Sequence, residues 1–233
     1  MDRCGFCLIV DTIGQEPLPA LNVENMQIAI ESKSDLKRGI DSLAQREPRF
    51  ADVAELVGPL PLRRRTEGFE SLLGMIVSQQ VSVAAADSIW KRLKAAGLTE
   101  PESLGCCTDE ALRACGLSRQ KARYARALAA ADIDFVALGQ LDDTGLVKRL
   151  TQVAGVGRWT AEIYGMFSLG RPDMIAAGDL ALRESARILF KLSERPTDQV
   201  LRRMAEPWSP WRAVAAQLLW SYYRVMKNRE GVR

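Results

Sequence analysis

The stretch Val153-Ala154-Gly155-Val156-Gly157-Arg158-Trp159-Thr160-Ala161 decides the fold. Its G-x-G lacks a third glycine and no strand precedes it, so it is not a dinucleotide fingerprint. Upstream, Asp142 to Gln152 reads as helix. Downstream, Trp159, Ile163, Met166 and Phe167 recur at helical spacing. Two helices joined by a glycine turn make a helix–hairpin–helix. Glycines permit the tight turn, and the following helix starts with unpaired N–H groups and a partial positive charge, a natural seat for a phosphate. The turn taken alone reads first as a plain packing turn between helices.

Outward from the hairpin the chain reads as helix after helix. Ser34 is the expected N-cap of a helix running to about Glu47, and Pro48 ends it. A short segment covers 50–57, and Gly58-Pro59-Leu60-Pro61 is a linker followed by the basic triplet Arg63-Arg64-Arg65. Phe69, Leu72, Leu73, Ile76 and Val77 form an amphipathic stripe. A helix from Ser82 to Ala96 carries Ala86, Ile89, Trp90 and Leu93 on one face. Further helices are expected after Thr108, Ser118, Asp179 and Thr197, and from Trp211 to Lys227. No strand pairing or internal repeat stands out. The expected class is all-α.

Composition sets the chemical limits. The 233 residues are 47% apolar and 26% charged, ordinary for a globular chain that buries its own core. There is no histidine, which excludes Ser-His-Asp and Cys-His catalysis and His-based metal sites. The charge is uneven: 146–233 holds 15 Lys and Arg against 8 Asp and Glu, a balance of +7, whereas 1–145 holds 17 against 21, a balance of −4. A basic half suits a polyanion, although solvated helix faces read the same way. Five cysteines, with none after Cys115, do not make a secreted disulfide framework, and the Cys4/Cys7 pair has no second pair to complete a metal site. No apolar run reaches membrane-spanning length. The expectation is a cytoplasmic protein with no metal, no cofactor and no membrane partner. Residues 1–25 read as a disordered arm or as translation upstream of a start at Met26, leaving 26–233 as the folded domain.

Twenty residues beyond Trp159 stands Asp179, in Ala176-Ala177-Gly178-Asp179-Leu180. It reads as a helix N-cap and as a candidate catalytic anion. The two roles are compatible, because a capping carboxylate is held in one orientation.

The hairpin and this aspartate, in this order, resemble the helix–hairpin–helix (HhH-GPD) superfamily of DNA base-excision glycosylases, within it the AlkA type, the 3-methyladenine DNA glycosylase II group. The resemblance covers Leu60 to Tyr223. It rests on Ile76-Val77-Ser78-Gln79-Gln80-Val81-Ser82, on Gly116-Leu117-Ser118 with Lys121 and Tyr124, on the hairpin with Phe167-Ser168-Leu169-Gly170-Arg171-Pro172-Asp173, on Gly178-Asp179-Leu180, and on Trp208-Ser209-Pro210-Trp211-Arg212 with Trp220.

The resemblance implies a two-lobed helical fold with a cleft, and roles position by position. Asp179 falls on the essential aspartate. Trp159 and Trp220 fall on base-pocket aromatics, and Gly155, Val156 and Gly157 on the hairpin that grips the DNA backbone. Gln79, Gln80 and Ser82 fall in the segment inserted into the duplex, with Gln80 as plug or, equally, an exposed cap. Trp208 and Trp211 fit either pocket or core. Leu180 and Ile163 stand where some relatives carry a pocket tyrosine, and no stretch reads as the β-rich N-terminal domain of longer relatives. Strand-cutting members carry a lysine at the position of Trp159, and iron–sulfur members carry cysteines after the position of Cys115. The implied protein is a monomeric, monofunctional glycosylase that hydrolyses alkylated purines from duplex DNA in base excision repair. The reading from another class is a non-catalytic hairpin module that only binds DNA.

Overall fold

The computed structural model describes residues 29–230, with side chains to Asn228. The expected arm, the start at Met26 and the Cys4/Cys7 pair lie outside the described residues. The described residues contain thirteen α-helices and no strand. In chain order they are α1 (Lys33–Arg46), α2 (Arg49–Val57), α3 (Phe69–Ser78), α4 (Val83–Ala95), α5 (Pro101–Cys106), α6 (Asp109–Ala114), α7 (Arg119–Ala129), α8 (Phe135–Gln140), α9 (Asp143–Leu150), α10 (Arg158–Phe167), α11 (Leu180–Leu189), α12 (Asp198–Met204) and α13 (Arg212–Glu230). None of these is long and apolar enough to cross a membrane.

The caps explain most boundaries. Ser82, Thr108, Ser118, Asp142, Asp179 and Thr197 each accept a backbone N–H from the first turn of the helix they precede. At α1 the expected cap is displaced by two residues. Ser32, in extended backbone, accepts from the Asp35 N–H while the Asp35 carboxylate accepts from the Ser32 N–H, a reciprocal capping box. Ser34 is inside the helix, hydroxyl to hydroxyl with Ser32 at 2.7 Å. The sequence reading missed α5 and α8 because each spans six residues, too few to show a helical period.

The closely packed helix pairs fall into two sets: α1, α2, α11, α12 and α13, and the chain's middle helices α3 to α10. The predicted stripes supply both cores. Phe69, Leu72, Leu73, Ile76 and Val77 of α3 are all buried, each such side chain contributing about 1.5–3 kcal/mol through water release. In α13, Ala213 to Ala216, Leu218 and Leu219 have no exposed surface. Trp208, in a 3-10 turn at Glu206–Trp208, packs edge-on to Phe50 and stacks on Phe190, and Trp211 is buried too. Both are core residues.

Backbone and side-chain bonds tie the sets together. Arg65 N–H donates to Phe167 O, Ile30 N–H to Gly170 O and Ala213 N–H to Pro172 O. Arg212 grips Asp173 with two bonds of 2.7 and 2.6 Å, and Ser209 adds a third at 2.8 Å. This joins the two separate sequence blocks around Asp173 and Arg212.

Candidate active site

The hairpin is built by an alternation of buried and outward residues. Val153 and Val156 are buried, while Gly157 faces solvent. Gly155 has φ +91°, and a Cβ there would lie 2.3 Å from the Tyr124 ring, so only glycine fits. Gly157 differs. Its φ of −82° suits any residue, and a Cβ would meet nothing within 4 Å. Gly157 caps α10 without a side-chain acceptor, so the first amides of α10 are left for an outside partner.

Asp179 caps α11. Its Oδ1 accepts from Ala181 N–H at 2.9 Å, Leu182 N–H at 3.1 Å and the Trp220 indole N–H at 3.1 Å. Its Oδ2 accepts from the Trp159 indole N–H at 3.1 Å. Three predicted site residues, from α10, α11 and α13, therefore meet at one carboxylate. Oδ1 is saturated by three donors; Oδ2, with one, retains acceptor capacity.

The two indoles play different parts. Trp220 is half-buried and packs on Phe167 at 5.9 Å between ring centroids. Trp159 is 43% exposed although Ile163, Met166 and Phe167 of its stripe are buried. It lines a cleft of about 480 Å³ with Arg65, Met75, Ser78, Gln79, Gln80, Gly157, Thr160 and Ile163. Trp220 stands behind the residues lining this cleft and meets the site through its bond to Asp179.

Gln79 and Gln80 line the same cleft. Gln79 is the C-cap of α3, and its side-chain amide donates to Gly155 O at 3.0 Å, tying this turn to the hairpin. Gln80 is exposed at φ +56°, a left-handed conformation uncommon outside glycine. Ser82 caps α4 through Ala85 N–H at 3.2 Å. Behind the turn, the buried Lys121 ammonium donates to Val77 O at 2.7 Å, and desolvation lowers its pKa below the ordinary lysine value. Val81 and Val83, which follow the glutamine turn in the chain, are exposed, as is Trp159.

Four cleft residues received no role from the sequence: Ser78 and Thr160, quoted only within motifs, Met75, hidden inside an ordinary core helix, and Arg65, one of three adjacent arginines. Among the described residues no group of His, Cys, Asp or Glu could hold a metal.

A glycine hairpin opening a helix, and a capping aspartate shared by two indoles at the edge of a cleft, define a class. The chain belongs to the HhH-GPD superfamily of base excision DNA repair proteins, whose family profile matches residues 73–210. It is 29% identical over 222 residues to DNA-3-methyladenine glycosylase 1 of Schizosaccharomyces pombe, covering 91% of this chain and 97% of the relative. A solved structure of the S. pombe 3-methyladenine DNA glycosylase in complex with abasic DNA superposes with TM-score 0.69 at 31% identity, covering 78% of this chain and 95% of that one. A DNA-3-methyladenine glycosidase from Bacillus halodurans superposes with TM-score 0.73 at 30% identity, over 86% and 94% of the two chains.

Proposed function

We propose that this protein is a monofunctional DNA glycosylase that hydrolyses the N-glycosidic bond of alkylated purines, of the 3-methyladenine and 7-methylguanine type, in duplex DNA. The observation that carries the reading is the Asp179 carboxylate fixed by two indole N–H groups beside a cleft. A hairpin that only binds DNA has no use for such a carboxylate.

A purine alkylated at N3 or N7 is cationic while attached. When the C1′–N bond breaks, the electron pair goes to the base, which leaves neutral and needs no general acid. A chain without histidine can run this reaction. Positive charge develops on the sugar as an oxocarbenium, and a preorganised carboxylate stabilises it. Oδ2 of Asp179, with its spare acceptor capacity, faces that charge or orients the water that adds to C1′. The water's proton leaves to Asp179 or solvent. The exposed face of Trp159 offers a cationic base about 0.5–2 kcal/mol of cation–π attraction.

The target bond is hidden in the duplex, so the nucleotide must be extruded at a cost of a few kcal/mol. The Gln79–Gln80 turn, held by Gly155 and Lys121, presents Gln80 as the plug for the vacated stack. The open amides at Gly157 seat a backbone phosphate. The protein acts as a monomer, with duplex DNA as its partner. Incubation with N-methylated duplex tests the reading: released methylpurine and abasic sites are expected, and binding without release would leave only a DNA-binding module.

A further inference from the structure

The extended segment before α3 holds three consecutive arginines with two fates. Arg64 is spent on structure: it donates to Phe167 O and pairs with Glu67 at 3.8 Å. Arg63 and Arg65, on either side of Arg64, have no such partners among the described residues. Both are exposed, and neither pairs with a carboxylate among the described residues. Their backbone position is set by the Arg65 N–H on Phe167 O at 2.8 Å, and Phe167 packs on Trp220. One turn beyond Trp220 on α13 stands Arg224, exposed, with a single bond to Ser221 Oγ at 3.2 Å. Desolvation, then the charges of Arg224 and Arg65, push the Arg63 pKa down.

We infer that Arg63, Arg65 and Arg224 form a phosphate clamp for the lesion-bearing strand, separate from the hairpin. Three guanidinium groups that stay protonated and lack a counter-charge repel one another until an anion bridges them. Their planar donor forks match the oxygens of a phosphodiester. Arg65 and Gly157 line the same cleft, so one arginine of the three stands with the hairpin beside the point where the base enters. The extruded nucleotide is then gripped by both. This inference rests on the glycosylase reading for its ligand, and its test is separable from it.

The test uses full-length protein and a duplex carrying a tetrahydrofuran abasic analogue. Phosphates within two positions of the analogue are replaced singly by neutral methylphosphonates. Wild-type protein should lose about tenfold in affinity at one position where the triple variant Arg63→Gln, Arg65→Gln, Arg224→Gln loses nothing further. On the unmodified duplex the variant should bind about tenfold more weakly. The slope of log K against log salt should be shallower by roughly 0.9, the value for one phosphate. Because the scan reads the wild-type protein, a poorly folded variant cannot imitate the position-specific loss. Equal sensitivity of both proteins at every position, or unchanged affinity and slope in the variant, would overturn the clamp. Wild-type release of methylpurine is scored alongside. Its absence would sink the glycosylase reading, whereas the position-specific affinity losses would still decide for or against the clamp.

Discussion

The Trp220 indole N–H donates to Oδ1 of Asp179 at 3.1 Å, although 41 residues separate them. With Trp159 on Oδ2, this bond gives a helix cap a fixed direction relative to the cleft. A cap alone needs one oxygen toward its helix. Here the second oxygen is positioned as well, by the Trp159 indole at the cleft.

Asp179→Asn should therefore separate cap from catalyst. Asparagine caps as well as aspartate, so the melting temperature should stay within the equivalent of about 1 kcal/mol. Affinity for damaged DNA should also survive. Single-turnover base release should fall about 10²–10⁴-fold, the range for losing one electrostatic or general-base element. Near-wild-type release would remove Asp179 from the mechanism.

The hairpin glycines should respond in opposite ways. Gly155→Ala puts a methyl group 2.3 Å from the Tyr124 ring at a left-handed φ, so stability should drop by about 1–3 kcal/mol. Gly157→Ala meets open space and should melt like wild type while binding DNA more weakly. Equal affinity of Gly157→Ala and wild type for duplex would argue that no backbone approaches there.

Borohydride should trap no covalent protein–DNA adduct, because an indole occupies the cleft position of Trp159 and offers no amine. The buried amine nearest the glutamine turn, Lys121, is engaged with Val77 O. Strand breaks should appear only after the abasic product meets heat or alkali. An adduct lost in Lys121→Gln would reassign the protein as a lyase.

Glu162 should leave a pH signature on stability. Burial raises its pKa above the ordinary 4.5, while Arg158 and Arg202 pull it back. The folded state thus holds this proton more tightly than the unfolded chain. Its contribution is fully present below about 4.5 and is lost as pH rises through the raised value. Urea denaturation of wild type and Glu162→Gln should give a stability difference that declines across this window and then flattens. A difference that grows with pH would contradict this assignment.

Local chemistry made much of this legible. Apolar spacing in α3 and the caps at Ser118, Asp179 and Thr197 depend on neighbours within one or two turns, and the structure has them where the spacing predicts. The Ser32 cap escaped because two nearby serines compete, and the return bond from Asp35 decides between them.

What the sequence by itself determined is the helical class, the hairpin and the pairing of a glycine turn with a capping aspartate, since periodicity and capping are short-range. Only the tertiary structure decided which tryptophans meet Asp179. Trp208 and Trp211 enter the core, Trp159 leaves its apolar stripe for the cleft, and Trp220 meets Asp179 from a helix 41 positions away. It also separated Arg63 and Arg65 from Arg64, identical neighbours in the sequence. Burial and hydrogen bonding between distant segments set these outcomes, and no local pattern encodes which face of a helix a remote partner will cover.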